Sequence, residues 1–183
     1  MDDALRSATD ASYEAQLARP EIDDAEVAVV EAMIGRPLRG RSAAAVRCRW
    51  GLPAVLRVAP RLEDGTPFPT LFWLACPLAN RHIGTLEASG VMVDLNRRIA
   101  EEPALSQEYA DAAARYIAAR DALGGGPLPR AAAAAGGMPG RVKCLHSLYG
   151  HHLATRDNPI GAWAADQIEP MACPAPCVPV TAA

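Results

Sequence analysis

The residues best placed to do chemistry lie in one short stretch, Lys143-Cys144-Leu145-His146, with His151 and His152 following. Lys143 is the single lysine in a chain that carries 17 arginines. Arginine is planar and stays charged, whereas lysine is a compact ammonium whose pKa falls when it is buried. A position that keeps lysine against so strong an arginine bias points to a need for lysine. Cys144 follows Gly136-Gly137-Met138-Pro139-Gly140-Arg141, at the start of an expected helix. There the helix dipole, Arg141 and Lys143 would lower a thiol pKa, and a nearby histidine would serve as base. The same loop and helix start suit an anion, because glycines let backbone N–H groups turn toward a ligand. The expected pocket therefore has Lys143, Cys144, His146 and His151 as chemical groups, with Gly137, Gly140, Arg141 and Asn158 as ligand contacts. The spacing is not that of a Walker A loop. Plainer readings stand beside each choice: Cys144 and His152 as core residues, the glycines as loop punctuation, Asn158 as a helix cap.

Helix geometry restricts the options. If 141–155 is one helix at about 100° per residue, Cys144 and His146 point in nearly opposite directions, and Cys144 and His151 are separated by ~10.5 Å of rise. That spacing is too wide for easy shared chelation, so other segments must complete a metal site. The alternative is a zinc-stabilised binding module that uses Cys48, Cys144, His151 and Cys177, the last from the tail pair Cys173-x3-Cys177.

The elements that must position these residues follow from patterning. At 183 residues the chain suits one domain with trimmings. Residues 1–22 are acidic and read as flexible, 23–168 as a single α+β domain with a low-complexity loop at 124–140, and 169–183 as an extended Pro/Cys tail. Asp23 or Asp24 can cap a helix that runs to Ile34 and ends at Gly35. Strands are expected at Ala44–Arg49, Ala54–Ala59 and Thr70–Cys76. Helices are expected at Leu78–Ser89, Val91–Glu102, Leu105–Leu123, Arg141–Thr155 and from Pro159 to about Ile168. The expected fold is a small, mainly antiparallel three-stranded sheet with helices packed on one face. Alternation puts Val46 and Cys48 on its inner face, near the 141–155 helix.

Net charge is −3, but residues 1–31 hold nine acids and residues 32–62 hold seven arginines and no acid. Packing of the acidic segment on the basic one is favoured over a nucleic-acid patch. An Arg-rich face is also the surface an adaptor for cell-division or envelope proteins would use. Five scattered cysteines do not make a disulfide framework. The longest apolar stretch, Leu71–Leu78, is far short of the ~20 residues of a membrane span, and the acidic start is unlike a signal peptide. A cytoplasmic protein is expected, with a small anionic ligand or a protein as partner.

The chain resembles a bacterial, mainly actinobacterial family called Domain of Unknown Function five hundred and one. The resemblance rests on Ile34-Gly35-Arg36-Pro37, Arg47-Cys48 with Gly51 and Pro53, Pro67-Phe68-Pro69-Thr70 running to Trp73 and Cys76-Pro77, and Leu86-Glu87-x-x-Gly90. Its strongest part is Arg141-Val142-Lys143-Cys144-Leu145-His146 with His151-x-Leu153-Ala154 and Asn158-Pro159-Ile160-Gly161. The chain departs from the family pattern at Arg49, where proline is usual, at Ala113, where histidine is frequent, and at His152, where a small residue is common. The resemblance implies no established activity. It implies a cell-envelope or phosphate context only through gene neighbours, a septum-formation initiator and an exopolyphosphatase.

Overall fold

The structure is a computed structural model that describes residues 12–128 and 135–179. Helix α1 covers 12–17. Then come α2 (Asp24–Ile34), β1 (Ser42–Arg47), β2 (Pro53–Val58), β3 (Phe72–Leu74), α3 (Pro77–Ala88), α4 (Val91–Glu101), α5 (Pro103–Leu123), α6 (Leu145–Thr155) and α7 (Pro159–Ile168). The fold is α+β, with an antiparallel sheet in the order β1-β2-β3.

Local chemistry sets the element ends. Asp23 caps α2 by accepting the Glu26 N–H at 2.9 Å, and Gly35 closes the helix at φ 69°, a conformation glycine adopts without a Cβ clash. Pro77, Pro103 and Pro159 open α3, α5 and α7, where the missing N–H costs nothing.

The central strand β2 is buried along its whole length, because both faces of the sheet are covered. On one face Ala45, Val55, Phe72 and Leu74 join the main core with Ile83, Leu95, Tyr109, Tyr116, Leu145 and Leu148 from α3–α6. On the other, Leu56, Val58 and Ala75 pack with Val30 of α2, so the second face is roofed by a helix and not left to solvent. Gly150 lets α6 lie directly on β3: a Cβ there would sit 3.3 Å from the Phe72 carbonyl oxygen.

Several expectations need correction. Tyr13 and Gln16, in the segment read as flexible, are buried at 5% and 6% exposure. Gln16 donates to the Ala154 carbonyl at 2.8 Å and ties α1 to α6. Register irregularities between Ala44 and Arg47 break the strand alternation, so Cys48 lies past the end of β1 in a turn and not on the inner sheet face. The helix expected from Arg141 begins at Leu145. Of the low-complexity loop, residues 129–134 lie outside the described residues.

Candidate functional site: a thiol, an imidazole and a carboxylate

The late start of α6 creates the site. Asn96 of α4 grips the backbone of Val142 from both sides: its Nδ2 donates to the Val142 carbonyl at 2.9 Å and its Oδ1 accepts the Val142 N–H at 2.8 Å. The Tyr109 hydroxyl donates to the Arg141 carbonyl at 3.2 Å. The Gly136 carbonyl accepts the Lys143 and Cys144 N–H groups at 2.7 and 3.3 Å. These bonds hold 141–144 extended, so Cys144 is the N-cap of α6 with φ −150° and ψ 110°. Gly137, at φ 93°, makes the tight turn beneath this strap, where a Cβ would meet the Arg141 carbonyl oxygen at 2.6 Å.

An extended Cys144 is turned toward His146, contrary to the opposed directions of a continuous helix. Cys144 Sγ lies 3.9 Å from His146 Nδ1. Glu87 of α3 completes the group, with its Oε1 3.2 Å from the same Nδ1. That oxygen also accepts the Leu145 N–H at 2.6 Å, satisfying a donor at the start of α6. His146 Nε2 lies 3.2 Å from the Asn80 carbonyl, which can only accept, so Nε2 carries a proton. Nδ1 is left to face thiol and carboxylate.

Electrostatics follow from this arrangement. The bond from Cys144 favours the imidazolium most; burial opposes it, Glu87 supports it, and the balance pushes His146 up to about 9. Burial raises the Cys144 thiol, but His146 and the Ser147 N–H outweigh it and hold the thiol below its ordinary value. All three side chains are half-buried. Cys144 and His146 open on a groove of about 310 Å³ that runs between β3 and the start of α6, lined also by Thr70, Phe72, Asn80 and Ser147. Among the described residues, Glu87, Cys144 and His146 form a trio with ligand atoms all within 4.8 Å of one another.

The other expected site residues go elsewhere. Lys143, Arg141 and Gly140 are exposed. Lys143 is not among the groove-lining residues. His151 is fully buried, stacked on Phe72 with ring centroids 5.9 Å apart and edge-on to Tyr116. Asn158 caps α7 by accepting the Gly161 N–H at 2.8 Å, so its amide nitrogen donates to His151 Nδ1 at 3.1 Å. His151 Nε2–H must then donate to the Tyr13 hydroxyl. The Tyr13 hydroxyl in turn donates a hydrogen bond to Asp157 Oδ2 at 3.0 Å, and Arg115 holds Asp157 by contacts at 2.9 and 2.6 Å. Burial is the largest cause that holds His151 down to about 3, so it is a neutral link in a polar chain, away from Cys144.

The zinc set expected from sequence is likewise divided. Cys144 and His151 are in the separate places just described. Cys48 and Cys177 instead line one cleft together with Cys76 and Cys173. Burial raises the Cys177 thiol, and the other three sulfurs add to the shift.

Glu87, Asn80, Asn96, Tyr13 and Asp157 were not among the expected site residues. Glu87 had a signal, the Leu86-Glu87-x-x-Gly90 stretch of the family resemblance. Asn80 and Asn96 had a weaker one, being two of only three asparagines in the chain. The arginine-rich segment is largely occupied: Arg47 pairs with Glu26 at 2.6 Å, Arg41 with Glu21 at 3.2 Å, and Arg57 donates to the Arg19 carbonyl at 2.8 Å. No helix of the described residues is long and apolar enough to cross a membrane.

No curated protein and no solved structure matches the chain. A family model described as protein of unknown function (DUF501) matches residues 44–166. That span holds both strap and trio, and by it the chain belongs to the DUF501 family.

Proposed function

We propose that the chain binds a small ligand with an anionic group in the groove at the N-terminus of α6 and acts on it through the Cys144 thiolate. The observation that carries this reading is the pair Cys144 and His146 at the groove wall, backed by Glu87, with Sγ 3.9 Å and Oε1 3.2 Å from one imidazole nitrogen. With Nε2–H committed to Asn80, Nδ1 can take the thiol proton. Glu87 then stabilises the imidazolium, and the thiolate is left facing the groove. The Leu145 N–H is taken by Glu87 and the Ser147 N–H by the thiol, so the imidazolium of His146 is the group that favours a negative charge on the ligand. The reaction class is nucleophilic attack by sulfur on an electrophilic carbon, with His146 returning the proton to the leaving group.

The test is site-resolved alkylation of the native chain by iodoacetamide under reducing conditions. Cys144 reacts first, inorganic phosphate slows it, and His146→Ala slows it more. Equal reactivity of Cys144 and the other thiols in the native chain removes the reading.

A second reading is favoured by the mutual spacing of the trio. Three protein ligands with an open position toward a groove suit a catalytic zinc ion. The Nε2–H to Asn80 bond is the backing a metal-bound histidine uses. Under this reading Cys144 is protected until a chelator is added.

A further inference from the structure

Four of the five cysteines converge on a place the thiolate site does not use. Cys48 sits in the turn after β1, Cys76 is the N-cap of α3, and Cys173 and Cys177 belong to the irregular tail. These segments are far apart in sequence, yet all four side chains line one cleft of about 330 Å³. Its walls include Met33, Leu52 and Ala54, each less than 9% exposed.

Two of the sulfurs sit on fixed backbone. The Trp50 N–H donates to Cys48 Sγ at 3.4 Å across the turn. Cys76 is the N-cap of α3 and its side chain closes no capping hydrogen bond.

The tail needs an explanation for its position. Past α7 it has no regular element over 169–179, and the bonds that fix it are few. Glu169 accepts the Tyr149 hydroxyl at 2.6 Å, and the Trp50 indole N–H donates to the Cys173 carbonyl at 3.2 Å. Ordering an irregular segment costs about 1–2 kcal/mol per residue. Met171 packs against the main core and the Cys173 thiol donates to the Ala175 carbonyl at 3.2 Å within the tail; metal–sulfur bonds would tie Cys173 and Cys177 to the opposite wall of the cleft.

We infer that Cys48, Cys76, Cys173 and Cys177 form a four-thiolate site for a soft tetrahedral cation, Zn2+ first, that clips the tail onto the sheet. Ligation replaces four S–H bonds with four S–Zn bonds and releases four protons to solvent. The product carries two negative charges, and Arg49 on the cleft wall is placed to offset them. Tetrahedral zinc needs sulfurs about 3.8 Å apart for Zn–S bonds of about 2.3 Å. Among the described residues no three of these sulfurs stand together as a ready ligand group; Cys177 is exposed and Cys173 half-buried, so binding requires the tail to draw inward around the ion. The site is independent of Cys144.

The test uses the full chain, reduced, stripped with chelator and titrated with Zn2+ and, separately, Co2+. One equivalent of Zn2+ should bind and shield Cys48, Cys76, Cys173 and Cys177 from iodoacetamide. Co2+ should give the intense sulfur-to-cobalt charge-transfer absorption of a thiolate-rich tetrahedral site. Cys48→Ser and Cys177→Ser should each lose most of the affinity, whereas Cys144→Ser retains it. Zinc that survives the Cys48→Ser/Cys177→Ser double variant, or that is lost with Cys144→Ser, overturns the assignment. So does a reduced, folded wild-type chain that takes up no stoichiometric Zn2+. Should a serine variant misfold, the wild-type shielding pattern alone decides: protection of Cys48, Cys76, Cys173 and Cys177 supports the site, and protection of Cys144 alone assigns the ion to the other trio.

Discussion

Replacing His146 with alanine tests the electrostatics on which the thiolate depends. Unit charges 3.9 Å apart, the Sγ–Nδ1 separation, attract by ~4 kcal/mol at an effective dielectric of about 20 and by ~1 kcal/mol in bulk water. The His146 side chain is 30% exposed, which places the pair between these limits. At about 1.4 kcal/mol per pKa unit, loss of the imidazolium should raise the Cys144 pKa by roughly 1–2 units. The assay is the pH–rate profile of iodoacetamide alkylation at Cys144, followed by peptide mass analysis. The midpoint gives the thiol pKa directly, without confusion from the lower intrinsic nucleophilicity of a low-pKa sulfur. Glu87→Gln should act on the other partner. Without the carboxylate the imidazolium loses protons below its present value of about 9, and the window in which thiolate and imidazolium coexist narrows from its alkaline side. A His146→Ala midpoint within a few tenths of wild type would refute the pairing.

Other consequences can be checked separately. His151 has its pKa lowered from 6.5 to about 3 by burial; the unfolded chain therefore binds a proton the folded chain refuses, and stability should fall by up to about 1.4 kcal/mol per pH unit as pH drops below the unfolded value. Urea melts across that range should show a shallower dependence in His151→Gln, and an unchanged slope would contradict the assignment of a buried neutral ring. His146 works with the opposite sign: its raised pKa gives stability that is complete below 6.5 and disappears as pH rises through about 9. Tyr13→Phe removes the hydroxyl that accepts from His151 Nε2–H and donates to Asp157, so it should cost about 1–3 kcal/mol by leaving the His151 donor buried and unpaired; a loss under a few tenths would mean that water replaces the hydroxyl. In Gly161→Ala the new Cβ collides with the Leu148 carbonyl and comes within 2.6 Å of His152 Cβ, so the α6–α7 contact must open and the melting temperature should drop by several degrees; an unchanged melt would show that this packing yields freely. Lys143→Arg should leave Cys144 alkylation unchanged, because the Lys143 side chain is exposed and outside the groove; a slower rate would bring the lysine back into the site.

Much of the framework was readable in the chain because it depends on local chemistry. Asp23 and Gly35 bracket α2, and prolines open three helices. The site was legible in composition but not in geometry. Cys144 and His146 belong together only because Asn96, Gly136 and Tyr109 hold 141–144 extended, and those contacts come from distant segments. A helical wheel drawn through Cys144 assumes the conformation that they prevent. The same reason hid the burial of His151, whose partners Tyr13 and Asp157 lie on separate elements, and the covering of the second sheet face by α2. Cys48 was misplaced by a register irregularity, which alternation cannot register. Lys143 drew attention through its rarity, but rarity carries no information about direction.

The most direct test of the account measures alkylation rates of all five cysteines in one native, reduced sample at mildly acidic pH, with and without chelator. Cys144 should react first and at the same rate in both conditions. Cys48, Cys76, Cys173 and Cys177 should be slow with zinc present and released by the chelator. A Cys144 that stays inert in both conditions would contradict the thiolate site, and a Cys144 freed only by the chelator would make it a metal ligand instead.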